Sequence, residues 1–244
     1  MIVHNSLNSI IYGGYKMGSF SYKELYTENE KRVLEINVLP EKYCNFDCIF
    51  CPIGRSKNKT DEQKEFNDFE VVIAELSVLI RDKKPDLIFI NSKGEAFVND
   101  KLEDIIKFIK SKDIEVRLLT NGYLLGQDKY KGIANLCDEI IGEIKVTKDE
   151  DFQKIQRPID GYTLEEHVHH MVNFRKQYSG KFIFEVTIVK GYNDDQKSVQ
   201  QLKRMVDLLS PSEVQVVTID YDPFKAKLGI SDERLEEISK ILLS

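Results

Sequence analysis

Residues 44–51 read Cys-Asn-Phe-Asp-Cys-Ile-Phe-Cys, and they contain three of the four cysteines of the chain. Iron–sulfur cubes are normally held by four cysteine thiolates, so three thiolates leave one iron with an open coordination position. A substrate or a cofactor can bind at such an iron. The run therefore predicts a [4Fe–4S] cluster held by Cys44, Cys48 and Cys51, and it indicates redox catalysis rather than a structural crosslink.

Zinc is the alternative occupant of this run. Structural zinc takes four nitrogen or sulfur ligands, and Cys137 or one of the four histidines could supply the fourth. The run has no second Cys-x-x-Cys to pair with, and Phe46, Ile49 and Phe50 would surround the metal with apolar side chains. Apolar surroundings suit a redox cluster, whose potential depends on burial, so iron–sulfur is the favoured interpretation.

The composition is that of a soluble globular protein, since 41% of its 244 residues are hydrophobic and 31% are charged. No apolar run approaches the ~18 residues that a membrane span requires, and the first residues lack the pattern of a secretory signal. Four cysteines without an export signal indicate a reducing compartment. We therefore expect a cytoplasmic protein with no membrane partner.

The net charge of −6 argues against RNA as a partner, because nucleic-acid binding needs concentrated Lys and Arg. One local exception follows the cysteines, where the chain carries Arg55, Lys57, Lys59 and Lys64. Such a segment either meets an anionic substrate or an acidic electron donor, or is a solvated loop.

From residue 32 onward, short β-branched runs alternate with amphipathic helical patterns, which predicts βαβ units and a parallel sheet. A last helix begins after Ser231. We expect residues 32–244 to form a single core domain, and residues 1–31, which are aromatic and glycine-rich, to form an N-terminal cap segment. The predicted strands are Val33–Leu39, Leu87–Ile90, Glu115–Leu119, Glu139–Val146, Phe182–Val189 and Val214–Ile219.

Unusual polar residues come at or just after the ends of successive predicted strands. Ligands bind at this carboxyl edge in parallel α/β folds. Six strand–helix units fit either an open doubly wound sheet or an incomplete barrel. One edge carrying all the candidate chemistry favours a partial (β/α)6 TIM-like barrel around a single cofactor site. The groups, in chain order, are Cys44–Cys51, Gly94-Glu95, Thr120-Asn121-Gly122, Lys145, Gly191-Tyr192-Asn193 and Asp220.

The cysteine spacing, with the aromatic Phe50 before Cys51, resembles the cluster motif Cys-x3-Cys-x-aromatic-Cys of the radical S-adenosylmethionine (SAM) superfamily. The resemblance implies that the amine and carboxylate of SAM bind the open iron, and that an electron from the cluster cleaves a carbon–sulfur bond. The product is a 5′-deoxyadenosyl radical, which a buried site protects from water and oxygen. The resemblance also implies anaerobic chemistry and a small acidic electron donor such as flavodoxin or ferredoxin.

The resemblance further assigns SAM contacts to other strand ends. Gly94-Glu95 is similar to the superfamily's Gly-Glu segment, which receives the ammonium group of SAM, although Ala96 replaces the usual proline. The plainer interpretation of each such group is a solvated turn. The candidate cofactor-binding residues are Phe50, Gly94, Glu95, Thr120, Asn121 and Asn193.

More narrowly, the chain from about residue 30 onward resembles the radical enzymes grouped with the tRNA wyosine-base synthase. The founding enzyme condenses a modified guanosine of tRNA with pyruvate, and a protein lysine is implicated in holding pyruvate as a Schiff base. This chain lacks three further cysteines for a second cluster and a strongly basic charge, so the family is predicted rather than that reaction. The similar segments are Tyr43–Arg55, Leu118–Gly122, Phe152–Pro158, Val186–Asn193 and Val214–Val216.

Lys145, Lys190 and Arg157 are the candidates for substrate chemistry. A lysine acts covalently only when burial or a nearby cation deprotonates its amine, and the alternative is a lysine that reaches solvent. Lys145 stands where many short family members have Asp, which predicts an altered substrate pocket. Arg157 could bind a carboxylate through two parallel hydrogen bonds.

Three histidines, His167, His169 and His170, resemble a metal cluster by their spacing alone. They fall within an amphipathic helical pattern, so a solvated helix surface is the favoured interpretation. Cys137 lies in an apolar segment and is expected to be a buried, inert thiol.

The sequence therefore predicts a radical SAM enzyme that abstracts hydrogen from an unidentified small-molecule or nucleoside substrate. Two alternatives stay open. One is an activase that abstracts hydrogen from a glycine of a partner enzyme, and the other is a non-catalytic zinc or iron–sulfur binding module. The similarity over Phe152–Asn193 favours the first function, and metal analysis separates it from a zinc module.

Overall fold

The computed structural model describes residues 15–17, 20–66 and 68–244. Its strands are β1 (Tyr15–Met17), β2 (Phe20–Tyr22), β3 (Tyr26–Glu28), β4 (Lys31–Asn37), β5 (Tyr43–Cys44), β6 (Asn58–Lys59), β7 (Leu87–Ile90), β8 (Glu115–Thr120), β9 (Glu139–Ile144), β10 (Lys181–Ile188) and β11 (Glu213–Thr218). Its α-helices are α1 (Phe69–Lys83), α2 (Leu102–Lys110), α3 (Asp128–Ala134), α4 (Asp149–Asp151), α5 (Leu164–Gln177), α6 (Gln196–Leu209), α7 (Lys225–Leu228) and α8 (Asp232–Leu242). Short 3-10 turns cover Ala96–Val98 and Tyr123–Gly126, and a π turn covers Phe152–Gln156.

The sheet confirms the predicted architecture, a mixed α/β fold with a mostly parallel sheet. Strands β4, β7, β8, β9, β10 and β11 neighbour one another in chain order, and each pair is parallel. A helix-bearing segment connects each pair, because parallel neighbours need a crossover connection. The bounds of the six predicted core strands differ from the observed ones by at most two residues.

The predicted cap segment 1–31 is described only in part. Strands β1 and β2 pair antiparallel, and β2 and β3 each pair antiparallel with β4. The described part of the segment therefore extends the sheet beyond its first parallel strand. Residues 1–14, 18 and 19 lie outside the described residues, so the cap and the single-domain division stay predictions.

The helices pack on the sheet through the apolar positions that predicted them. Buried residues include Leu76 of α1, Ile106 of α2 and Leu202 of α6, which join one core cluster with the strands. Ser231 begins α8 as predicted, because its side chain accepts a hydrogen bond from the Arg234 N–H. None of the helices in the described residues combines the length and the apolar character that crossing a bilayer demands.

The inner face of the sheet changes character along the strands. Side chains alternate along a strand, so Ile140 of β9 joins the cluster under the helices while Ile141 joins a separate inner apolar cluster with Ile183. Further toward the carboxyl ends, the same face carries buried polar and charged side chains. Burying charged groups is costly unless they are paired. This layer of polar side chains therefore indicates a functional site in this part of the barrel. In β9, β10 and the residue after β9 these side chains are Glu143, Lys145, Glu185 and Thr187.

Candidate functional site

A pocket opens at the carboxyl ends of the parallel strands, beside the cysteine run. The pocket is partly open to solvent. Its walls come from the run, from the segments that follow β7 and β8, and from β9 and the residue after it. Residues far apart in the chain therefore meet at the predicted edge. The predicted site residues in the lining are Cys44, Cys48, Phe50, Cys51, Gly94, Thr120, Asn121 and Lys145.

The cysteine run folds through short-range backbone hydrogen bonds. Cys44 ends β5, which pairs in parallel with β6, and its carbonyl accepts a bond from the Thr60 N–H at 2.9 Å. The Cys51 N–H donates to the Cys48 carbonyl at 3.1 Å, and the Gly54 N–H donates to the Cys51 carbonyl at 2.9 Å. These turns place all three thiols on the pocket wall.

A second segment supports the run from behind. The Asp47 N–H donates to the carbonyls of Gln156 and Arg157 at 3.0 and 3.1 Å, and the Ile49 N–H donates to the Ile155 carbonyl at 2.8 Å. The segment Phe152–Pro158, which the sequence singled out only by resemblance, thus has a physical role. It forms the backbone framework that holds the cysteine loop in place.

The donor set fits an iron–sulfur cluster. Two N–H groups point at the Cys44 Sγ, one from the Phe46 backbone at 3.4 Å and one from the Asn121 side chain at 3.8 Å, as hydrogen bonds to cluster sulfurs do. In the described part of the chain, no three His, Cys, Asp or Glu side chains already converge on a metal position. The three thiols therefore line the same pocket, but they do not already lie in the arrangement of a metal site.

Burial keeps the thiols of Cys44 and Cys48 protonated at neutral pH in the metal-free protein. Burial raises the pKa of the Cys48 thiol to about 12 and the Cys51 thiol adds to the rise, although Lys145 and Lys42 oppose it. Burial also raises the pKa of Cys44 well above its ordinary value. Thiols must lose their protons to bind a metal, so filling this site would release protons.

Gly94 is required by a close backbone approach. Its φ is +155°, and a Cβ at this position would lie 1.9 Å from the carbonyl oxygen of Tyr43. The same carbonyl accepts a hydrogen bond from the Glu95 N–H at 2.9 Å. Only glycine lets the segment after β7 lie directly against the strand that carries Cys44.

Glu95 is buried behind the pocket wall and is bonded to the protein. Its Oε2 accepts from the Thr120 hydroxyl at 2.9 Å and from the Asn121 N–H at 3.0 Å, while Oε1 accepts from the Phe97 N–H at 3.3 Å. The carboxylate therefore holds Thr120 and Asn121 at the end of β8. Its predicted contact with the ammonium group of SAM stays a prediction.

We expect the Glu95 carboxyl to make the stability of the metal-free protein fall as pH rises. Burial raises the pKa of this carboxyl from 4.5 to about 7, although its hydrogen bonds oppose the rise. Between these values the unfolded chain releases the proton and the folded chain keeps it, so the free energy of unfolding falls by roughly 3 kcal/mol at most. Below pH 4.5 both states hold the proton, and above pH 7 both have lost it.

Glu95→Gln removes this titration. Denaturant unfolding of both proteins across this pH range should show their difference in unfolding free energy changing between about pH 4.5 and 7 and constant outside it. Parallel pH profiles would contradict the assignment.

Asn121 connects the cysteine loop to α5 through His167. The Asn121 side chain donates to the Asn45 Oδ1 at 2.6 Å, and the Asn121 carbonyl accepts from the His167 Nε2 at 2.6 Å. Burial lowers the pKa of His167 to about 4, so its ring is neutral at neutral pH.

The interpretation of these histidines as a solvated helix surface is wrong for His167, which is completely buried. His170 is partly buried and bonds the Tyr123 carbonyl through Nδ1 at 2.8 Å, and only His169 is exposed. The signal was present in the sequence, because His167 follows Leu164 by three residues and precedes Met171 by four. That spacing places it on the apolar face of the helix.

Lys145 is buried in the pocket wall, and its Nζ lies 2.9 Å from the Glu143 Oε2 and 3.3 Å from the Thr187 Oγ1. Burial alone would lower the pKa of Lys145, but the carboxylates of Glu143 and Glu185 outweigh it and raise the pKa. The side chain is therefore held as an ammonium cation facing the pocket.

The other predicted site residues lie outside the pocket lining. Lys190 is exposed. Arg157 donates from Nε to the Lys154 carbonyl at 3.3 Å, and its backbone holds the cysteine loop. Asn193 is buried, and its side chain accepts from the Val189 N–H and donates to the carbonyls of Thr187 and Lys145. In this structure, Asn193 joins the ends of β9 and β10.

Sequence reasoning missed Lys42, Tyr221 and Glu143, which all line the pocket. The Tyr221 hydroxyl donates to the Phe50 carbonyl, which ties the segment after β11 to the cysteine loop. Lys42 precedes the run by two residues, and Glu143 alternates with Lys145 along β9. In the sequence, Lys42 could have been found by its proximity to the motif and Glu143 by strand alternation.

A family model described as the radical SAM superfamily matches residues 38–206. A GTPase Obg of Brachyspira hyodysenteriae is 27% identical over 210 residues, which are 85% of this chain and 31% of that protein. A UPF0026 protein of Methanocaldococcus jannaschii is 25% identical over 212 residues, 86% of this chain and 65% of that protein. The chain thus spans less than two thirds of the length of these relatives.

Solved structures share the fold at low sequence identity. A structure of TYW1 with a lysine–pyruvate adduct bound is 13% identical, with a TM-score of 0.69 over 94% of this chain and 85% of that one. A radical SAM methyltransferase from Sphaerobacter thermophilus is also 13% identical, with a TM-score of 0.68 over 95% and 73% of the two chains. At this identity the likeness shows the fold alone.

Proposed function

Since the chain belongs to the radical SAM superfamily, we propose that it reductively cleaves SAM at a single [4Fe–4S] cluster and abstracts hydrogen from a small-molecule or nucleoside substrate. The observation that carries this proposal is the pocket in which Cys44, Cys48 and Cys51 lie beside Gly94 and Asn121. When bound there, the cluster and SAM supply one-electron chemistry and a 5′-deoxyadenosyl radical.

The protein's own part is to hold, orient and shield. The three cysteines would hold the irons, and the Phe46 and Phe50 side chains would give them apolar surroundings that exclude water. Thr120 and Asn121, fixed by Glu95, would present polar groups to SAM at the end of β8. The Gly94 backbone completes this wall next to β5.

Lys145 would serve as a fixed cation rather than a covalent nucleophile. The related TYW1 structure carries a lysine–pyruvate adduct, and adduct formation needs a neutral amine. Here Glu143 lies 2.9 Å from the amine and stabilises its charged form. We propose that Lys145 binds an anionic or strongly polar group of the substrate.

The electron would come from a small acidic redox protein of the flavodoxin or ferredoxin kind. Lys57, Lys59 and Lys64 are exposed on the segment that follows the cysteine run, in a chain whose net charge is −6. Complementary charge steers such encounters and makes them sensitive to salt. RNA stays a less favoured substrate because of the overall acidic charge.

Anaerobic reconstitution with iron and sulfide tests the function. We expect a brown protein with four irons per chain that releases 5′-deoxyadenosine when given dithionite and SAM. A colourless protein that binds zinc tightly and never cleaves SAM would support the zinc module instead.

A further inference from the structure

Three charged side chains at the cysteine loop have no part in the roles assigned above. Asp47 lies between Cys44 and Cys48, and its carboxylate is buried. Lys42 precedes the loop and is also buried, whereas Arg55 follows the loop and is exposed.

Asp47 joins the two ends of the loop. Its Oδ2 accepts from the Arg55 Nε at 2.8 Å, and its Oδ1 accepts from the Ser56 N–H at 2.7 Å. The Lys42 Nζ lies 3.6 Å from the same Oδ1 and donates to the Gly54 carbonyl at 2.6 Å. Residues before Cys44 and after Cys51 are therefore bound to one carboxylate at the middle of the loop.

These contacts contribute to stability because the charged groups are buried. An exposed ion pair contributes little, but removing one partner of a buried pair leaves an uncompensated charge and is costly. Asp47 is 7% exposed and Lys42 is 7% exposed, so both charges depend on each other and on the backbone groups that they bind.

Lys42 also faces the pocket. It belongs to the lining together with the three cysteines. A cluster held by three thiolates gains one further negative charge when it takes up an electron. A buried cation beside it stabilises the reduced form more than the oxidised form and so raises the reduction potential.

We propose that Lys42, Asp47 and Arg55 form a loop clamp, in which Asp47 and Arg55 keep the cysteine loop closed on its cluster and Lys42 is a positioning residue that raises the cluster's reduction potential. This inference rests on the proposed function, because it needs the cluster to be bound. It adds that Lys42, two residues before the motif, makes reduction easier in addition to the Lys145 cation that lines the same pocket.

The test is a redox titration of the anaerobically reconstituted protein, followed by electron paramagnetic resonance of the reduced cluster. We expect Lys42→Met to lower the midpoint potential and Lys42→Arg, which keeps the charge, to stay near wild type. Lys112→Met is the control, because it removes the same charge from an exposed position that does not line the pocket. A Lys42→Met protein that loses its iron would show that Lys42 holds the loop closed instead, and would overturn its assigned effect on the potential.

Iron release to a chelator tests the closure. We expect Asp47→Asn to release iron about tenfold faster than wild type, in the range that loss of an outer contact costs a metal site. Glu62→Gln, at an exposed position after the loop, should release iron at the wild-type rate.

Different experimental results would contradict the loop clamp and the proposed function. Equal potentials in Lys42→Met and Lys112→Met, or equal iron release from Asp47→Asn and wild type, would overturn the clamp without affecting the proposed function. A wild-type protein that never takes up iron would overturn the proposed function itself.

Discussion

A Cys48→Ala variant is expected to lose iron and the release of 5′-deoxyadenosine together. Cys48 lies between the other two cysteines on the pocket wall, and no fourth cysteine of the described chain lines that pocket. Removing an outer contact of a metal site costs roughly 10–100-fold in affinity or activity, so removing a ligand should cost more. Iron content and 5′-deoxyadenosine release, measured anaerobically with dithionite and SAM, check this.

Cys137→Ala is the matched control. Cys137 is a buried thiol in the core cluster under the helices and is absent from the pocket lining, as the sequence suggested for an inert cysteine. Iron content and SAM cleavage should stay at wild-type values. If Cys48→Ala kept both, or if Cys137→Ala lost both, the ligand assignment would be refuted.

Lys145→Met is expected to destabilise the folded protein by about 3–5 kcal/mol, the usual cost of removing one partner from a buried ion pair. The substitution leaves the Glu143 carboxylate without the ammonium group 2.9 Å away, and it takes a donor from the Thr187 hydroxyl. Denaturant unfolding of the metal-free protein measures the change. Adding Glu143→Gln to the variant should recover part of the loss, because it removes the buried charge.

Lys190→Met provides the comparison, because the sequence alone could not rank the two lysines. Lys190 is exposed, so its substitution should change stability by no more than about 0.5 kcal/mol. Equal losses in the two variants would show that Lys145 is not held by Glu143 as described.

The carboxyl edge illustrates how far sequence reasoning reaches. Strand alternation with helical segments predicted six parallel strands to within two residues, and polar residues at their ends predicted one shared edge. Both depend on periodicity and on local order along the chain. Sequence analysis also gave Glu95, Arg157, Lys190 and Asn193 as site residues, and the structure places all four outside the pocket lining.

The cysteine spacing, the order of strands and helices and the class of chemistry were determined by the sequence itself, because ligand spacing and side-chain periodicity are properties of consecutive residues. Tertiary structure alone decided that Lys145 is a buried cation, that His167 is neutral beneath Asn121 and that Asp47 binds both ends of the loop. Those features depend on desolvation and on contacts between segments that are distant in the chain. Neither can be read from the order of residues until the chain has folded.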